Sequence, residues 1–315
     1  MNKFLKNVLL FSLILFAVVV SIECFLLFQI NIYSYKRQYV ETHIDDIQVL
    51  LFGNSHIDQA IDPCFICSGS FNFAIQGRSK IYDMELAKRY IPQMRNLKVV
   101  IMPLDYFDFH FGRVVNNAIE KKDLDNDKYS STYKCMYYKY MGIHVDGCWY
   151  WSEVLNSKLN YMTRFFKSYE DARECDSLGY VRYEKDRRRQ GWQYERLPDG
   201  IDLKKEINQK MYNELLMYYS VIAQVAEQEG VRFILLSTPL YITYQKCMND
   251  SVCKEMIHFV DDLKNQYSNI EYYNFMHDKS FSEDDFYDAS HLNRLGAVKF
   301  SKIVSEIVQS EMIRR

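Results

Sequence analysis

Proline and glycine are scarce in this chain, with 5 and 11 residues among 315. That scarcity excludes a collagen-like, linker-rich or low-complexity architecture. Charge of one sign is lacking too: 39 Lys+Arg stand against 41 Asp+Glu, a formal net charge of -2. So balanced a chain is neither the polycation that generic nucleic-acid binding requires nor a charge-swollen disordered segment. No nucleic-acid partner is expected. There is no glycine-rich phosphate loop and no Cys/His set with metal-ligand spacing, so no cofactor and no metal are expected. What the chain has in quantity is tyrosine, 26 residues, an amphipathic ring suited to clefts. Its length is enough for one large domain with a substantial core.

Long hydrophobic runs are also rare, and the single one is decisive. Val8 to Phe28 carries one charge, Glu23. At about 1.5 Å per residue this run spans roughly 30 Å, the thickness of a hydrocarbon core. No small-residue cleavage site follows it, and the Ser-Ile-Glu before Cys24 is a poor context for lipidation. The run reads as an uncleaved signal anchor occupying residues 1–30, followed by a polar juxtamembrane segment at 31–46. Lys3 and Lys6 face Lys36 and Arg37 across the span, and the favoured orientation places the bulk of the chain outside, in a periplasmic or cell-surface space. Glu23 either reaches headgroups, stays protonated, or serves a membrane partner.

Seven cysteines follow Cys24. In an oxidising compartment Cys135/Cys148 and Cys247/Cys253 are close enough in sequence to pair. Cys64 and Cys67 form a C-x-x-C with no second pair to complete a zinc set, and local packing or a disulfide is the reading.

The domain at 47–315 shows a βαβ rhythm. Ile47–Phe52, Ser70–Ala74 and Leu97–Met102 read as buried strands, with a helix from Ser79 to Met94 between the last two. Regularity returns with a helix near Asp202–Glu229, a strand at Val231–Ser237, a helix at about Ser251–Gln266, a strand at Asn269–Asn274 and a final helix at Asn293–Met312. The expected fold is α/β: a three-layer α/β/α sandwich around a mostly parallel five-stranded sheet. Between them, at about 105–201, lies an aromatic-rich insertion (YKCMYYKYM, CWYWSEV, LNYMTRFF), read as helices and loops over the sheet. Its basic cluster, Lys185 to Arg189, reads as a solvated loop, or more sharply as a contact for an anionic polymer or lipid headgroups.

In an open parallel sheet the reactive crevice lies at the carboxyl ends of the strands. Two strings fall there. Gly53-Asn54-Ser55-His56 follows the first strand, where glycine permits a tight turn and Ser55 opens a helical segment. Asp288-Ala289-Ser290-His291-Leu292-Asn293 leads into the last helix. An Asp three residues before a His can accept its Nδ1 proton and leave Nε2 to take a proton from a serine. Of the seven histidines only His291 has such an Asp. His56, adjacent to Ser55, is expected to point elsewhere and pack the turn.

These strings carry a resemblance. GNSH is similar to the first block of the SGNH/GDSL hydrolase superfamily and DASHLNRLGA to its last. FNFAIQGRSKIYD and the IDP after GNSH resemble the membrane-anchored branch that includes DltD-like proteins and the alginate O-acetyltransferase accessory proteins. The resemblance covers about 47–103 and 231–312. It implies Ser55 as nucleophile, His291 as base and Asp288 as its orienter, with backbone N–H groups of Ser55 and Gly77 forming an oxyanion hole. It also implies a Ser-His-Asp esterase or O-acyltransferase acting on a cell-envelope polysaccharide or acylated glycan, beside a multi-spanning membrane acyltransferase. One departure stands out. The third block usually supplies an Asn donor, but Met102 to Asp108 contains none, and an ionised Asp105 would repel an oxyanion. Asn72 is the substitute donor considered. The missing Asn also supports another class of function, a non-catalytic scaffold that binds a glycan or an assembly partner. A lipase with an incidental anchor is the third reading.

Overall fold

The computed structural model describes residues 3–109, 133–145, 152–156, 167–183, 207 and 209–312. Five strands form one fully parallel sheet: β1 (Val49–Leu51), β2 (Ser70–Asn72), β3 (Val99–Pro103), β4 (Arg232–Ser237) and β5 (Ile270–Asn274), in the order β2-β1-β3-β4-β5. The principal helices are α1 (Lys3–Phe28), α2 (Ile32–Thr42), α3 (Ser55–Asp58), α4 (Lys80–Tyr90), α5 (Gln209–Gln228), α6 (Asp250–Gln266) and α7 (Arg294–Met312). The expected α/β architecture with five parallel strands is thus present. The chain separates into two compact units, residues 1–37 with 115–174, and residues 38–114 with 175–315.

The larger unit holds the sheet. Strand residues alternate between faces, and both faces are apolar, as a parallel sheet covered on two sides requires. Val49, Leu51, Val99, Ile101, Ile234 and Leu236 form one face and share a core with Phe300, Val304 and Val308 of α7. On the opposite face Phe233 meets Tyr219 of α5, and Tyr219 meets Phe259 of α6. α5 buries Met211, Leu215, Tyr219, Ile222 and Ala226, a spacing of three to four residues that lines one side of a helix.

Two stretches within 105–201 are structural parts of this unit. Tyr106–Phe109 forms a 3-10 turn whose Phe109 sits edge-on to Phe259, ring centroids 5.3 Å apart. Residues 175–183 run along the free edge of β2, where Leu178 O accepts the Asn72 N–H at 2.9 Å. The order of the strands reverses direction after β2, so β1 and β3 lie side by side at the switch point, with their carboxyl ends opening one crevice.

The smaller unit contains α1, which is long and apolar enough to cross a membrane. Its one carboxylate is not left bare. Glu23 pairs with Lys139 Nζ at 2.6 Å and accepts hydrogen bonds from Ser152 Oγ and the Val154 N–H at 2.7 and 2.8 Å. The chain itself therefore supplies the partners that the sequence reading sought in headgroups or in another membrane protein. Tyr137 and Tyr140 of the first aromatic string are buried, and the Tyr140 hydroxyl bonds to Glu153 Oε2 and Leu26 O. These rings pack the unit and offer no platform to a sugar. CWYWSEV in part, LNYMTRFF entirely, and the Lys185–Arg189 cluster lie outside the described residues.

The polar juxtamembrane segment is α2 for most of its length. Asn31 caps it by accepting the N–H groups of Tyr33 and Ser34, both at 3.0 Å. Its buried positions Tyr33, Lys36 and Val40 recur at helical spacing, a period hidden from a hydrophobicity reading because one of the three is a lysine. The cysteine expectations fare differently. Cys247 and Cys253 are free thiols, as are Cys64 and Cys67, so neither the 247/253 pair nor a C-x-x-C disulfide forms. Cys148 lies outside the described residues.

Candidate active site

The turn after β1 is built around Gly53, whose φ is +118° and whose hydrogen faces the Pro103 ring so closely that any Cβ there would collide with it. Glycine is required by both the dihedral and the contact. The Gly53 N–H donates to Asp83 Oδ1 at 3.1 Å, and Asp83 is ion-paired to Arg78 with both side chains fully buried. Burial pushes the Asp83 carboxyl upward against the pull of Arg78 and Lys80, and its pKa is raised on balance. Asn54 then caps α3 by accepting the His56 N–H at 2.9 Å, which delivers Ser55, half-buried, to the crevice. α3 is a single turn, too short to contribute a macrodipole.

The second string arrives 236 positions later. Tyr287 N–H donates to His291 O, and the Ser290 and His291 N–H groups both donate to Asp288 Oδ1 at 2.9 Å. Asp288 therefore closes its own turn. Asn293 caps α7 through the N–H groups of Leu295 and Gly296. Gly296 lets the loop lie on the helix, because a Cβ at that position would strike Asp285 O.

These two turns meet. Ser55 Oγ lies 2.9 Å from His291 Nε2, and His291 Nδ1 lies 2.8 Å from Asp288 Oδ1. The hydroxyl donates to Nε2, the Nδ1–H donates to the carboxylate, and the tautomer follows from that pair of bonds. Burial would raise the Asp288 pKa, but the facing imidazole and the Ser290 and His291 hydrogen bonds outweigh it and hold the carboxyl well below its ordinary range. Asp288 is thus ionised at neutral pH and able to balance an imidazolium.

Asn72 does not join them. Its amide nitrogen donates to the carbonyls of Ile57 and Ile61 at 3.1 and 2.9 Å, and its oxygen accepts the Ala74 N–H. Fully buried, it clamps β2 to the segment after Ser55, and the sequence expectation of an oxyanion donor is corrected. The backbone N–H groups of Ser55 and Gly77 donate to no protein acceptor among the described residues. Gly77 has a φ of +71°.

The residues that the sequence reading undervalued lie directly behind Ser55. His56 does not merely fill the turn: its Nδ1–H donates to Asp105 Oδ1 at 2.6 Å, and its ring meets the His291 ring edge-on with centroids 5.0 Å apart. Asp105 Oδ2 accepts Asn54 Nδ2 at 2.7 Å and Lys80 Nζ at 3.4 Å, and Lys80 also pairs with Asp108 at 3.2 Å. Burial works against the Asp105 charge, yet His56, Lys80 and the Asn54 hydrogen bond together lower its pKa. Burial, with Asp105 beside it, raises that of Asp108. The anticipated bare negative charge at this position is therefore compensated within the cluster. The signal was present in the sequence as a lysine and two aspartates, Lys80, Asp105 and Asp108, beside otherwise apolar strand ends.

No family model matches the chain, and no curated protein matches it. Solved structures do. The chain is similar in structure to GDSL-like hydrolases at low identity. One is a Streptococcus pneumonia protein provisionally described as a platelet activating factor, with 11% identity and a TM-score of 0.44, covering 95% of this chain and 98% of that one. Another is a GDSL-like lipase from Bacteroides thetaiotaomicron, with 9% identity and a TM-score of 0.43, covering 89% and 99%.

Proposed function

We propose that this chain is a membrane-anchored serine esterase or O-acyltransferase acting on ester groups of a cell-envelope polysaccharide. The observation that carries the chemistry is the unbroken line of bonds from Ser55 through His291 to Asp288. In this reading Ser55 Oγ attacks the acyl carbon while His291 Nε2 takes its proton, and Asp288 stabilises the imidazolium that forms. The backbone N–H groups of Ser55 and Gly77 receive the charge that develops on the acyl oxygen. His291 then returns the proton to the leaving oxygen, and an acyl-Ser55 ester awaits a hydroxyl. Envelope glycan as substrate, and a multi-spanning membrane acyltransferase as partner, follow from the resemblance of GNSH, FNFAIQGRSKIYD and DASH. Retention of α1 as an anchor is supported by Glu23, whose bonds to Lys139 and Ser152 are part of the fold of its unit.

A serine-directed fluorophosphonate probe tests the reading. Wild-type protein is expected to label at Ser55 and Ser55→Ala to lose the label. Folded protein that never labels would favour the glycan-binding scaffold, which the occupation of the third-block position by Asp105 supports.

A further inference from the structure

The two backbone N–H groups that would receive charge on an acyl oxygen sit in different turns, Ser55 after β1 and Gly77 after β2. α3 is too short to lend a macrodipole, so those two dipoles act by placement alone, and a displacement of about 1 Å costs on the order of a hundredfold in rate. One turn must therefore be fixed against the other.

The Gly77 turn is closed by the Arg78 N–H, which donates to Ile75 O at 3.1 Å. Gly77 is the third residue of that turn, a position where a φ of +71° suits glycine. A turn of this kind uses its first carbonyl and its fourth N–H, and leaves the third N–H, that of Gly77, free.

Gly53 joins the two turns through both of its polar atoms. Its carbonyl accepts the Ile75 N–H at 3.0 Å, and its N–H donates to Asp83 Oδ1 at 3.1 Å. The same oxygen accepts Arg78 Nη1 at 3.1 Å. Gly53 lies two residues before Ser55, and Arg78 directly follows Gly77, so one carboxylate oxygen ties together the turns that carry both donors. The first turn of α4 brings the carboxylate, and neither it nor the Arg78 side chain keeps any exposure. The Arg78 guanidinium also lies over the Phe73 ring, 5.2 Å from its centroid. A buried ion pair is often no more stabilising than apolar residues of the same volume, so stability alone does not account for one placed here.

We propose that Asp83 is the positioning residue of the oxyanion hole: through one oxygen it sets the Ser55 and Gly77 N–H groups at the separation that an acyl oxyanion needs. This rests on Ser55 being the nucleophile. Asp83 touches no reacting atom and acts through Gly53 and Arg78. Among the described residues it bonds neither His291 nor Asp288, so it leaves the base unaffected.

The test uses full-length protein in detergent, with p-nitrophenyl acetate as substrate and an aryl trifluoromethyl ketone as inhibitor. Ser55 Oγ adds to the ketone carbon and the ketone oxygen becomes an oxyanion, so its affinity reads the hole directly. KM and the inhibition constant do not depend on how much of a preparation is folded, whereas an apparent kcat does. Acylation and deacylation both pass through the oxyanion. Asp83→Ala is therefore expected to lower kcat about a hundredfold with KM unchanged, and to raise the ketone inhibition constant by the same factor. Asp83→Asn, which keeps an oxygen for both donors, should recover most of both losses. Arg78→Met releases only the Gly77 arm and should weaken the ketone in the same direction; it carries the test if Asp83→Ala does not fold. The pH dependence set by His291 should stay in place in all three. An unchanged ketone inhibition constant in folded Asp83→Ala, or in Arg78→Met, would overturn the proposal whatever happens to kcat or thermal stability. Failure of the parent reading looks different: wild type would then neither turn over the acetate nor bind the ketone at Ser55.

Discussion

Two carboxylate–imidazole pairs share one crevice, and they are made for different surroundings. His291 and Asp288 retain 21% and 15% of their side-chain exposure, whereas His56 and Asp105 retain 5% and 1%. The first pair is held by a self-contained turn: Asp288 binds the N–H groups of Ser290 and His291, and little outside the loop fixes it. The second is held from outside by three residues, Asn54, Lys80 and Asp108, the last of which pairs with Lys80 and accepts the Asp105 N–H. A group that must change protonation during a reaction benefits from solvent and from one strong partner. A group that only sets geometry tolerates burial provided that every charge is met. In the function proposed above, chemistry falls to the exposed pair and architecture to the buried one.

That assignment can be broken most directly at the exposed pair. Removing the base of a serine triad costs on the order of 10^6-fold in turnover, and removing the base's carboxylate about 10^4-fold. His291→Ala is accordingly expected to abolish acyl turnover, and Asp288→Asn to lower it by less, with circular dichroism unchanged in both. Asp288→Asn turning over like wild type would mean that another group orients the imidazole.

The buried pair should answer in stability. Asp105→Asn leaves Lys80 with Asp108 as its one carboxylate partner among the described residues and takes from His56 the group its Nδ1 bonds, where both side chains are almost fully buried. Breaking such a pair costs about 3–5 kcal/mol, and chemical denaturation should show a loss of that size. A loss below about 1 kcal/mol would show that the cluster relaxes toward solvent. Lys80→Met with Asp105→Asn, which removes both charges, should recover part of it.

The smallest expected effect separates the pairs by pH. Asp288 has a folded-state pKa below its ordinary value of 3.8. In that window the unfolded chain binds more protons than the native one, so the contribution is complete above the ordinary value and is lost as pH falls through the folded one. The stability advantage of wild type over Asp288→Asn should shrink as pH drops below about 4. An advantage that stays constant down to pH 2 would mean that the carboxylate is not stabilised by its imidazole.

Much of this was legible in the chain. Strand positions followed from apolar runs such as Leu97–Met102, and Asn293 announced the last helix. Asp288 and His291 could be read together because their partnership is local, three residues within one turn. Asn72 could not be read correctly. Polar, and near the right strand end, it satisfies the description of an oxyanion donor, and only the carbonyls of Ile57 and Ile61 converging on its amide show that it is a clamp. Similarly, Asp105 looked hostile to catalysis until Lys80 and His56 were found beside it.

The sequence alone determined the five strands and the helices that cover them, because burial on both faces of a parallel sheet and on one stripe of a helix leaves a period in the order of residues, whereas α2, with Lys36 among its buried positions, left none. It also determined the turn chemistry at Gly53 and Asn293, which depends on neighbours in the chain. Only the tertiary structure decided which charges meet. Lys80 comes from a different element than the Asp105–Asp108 turn, and Glu23, Lys139 and Ser152 come from separate segments, and whether a buried charge is compensated depends on distances in space that no spacing along the chain encodes.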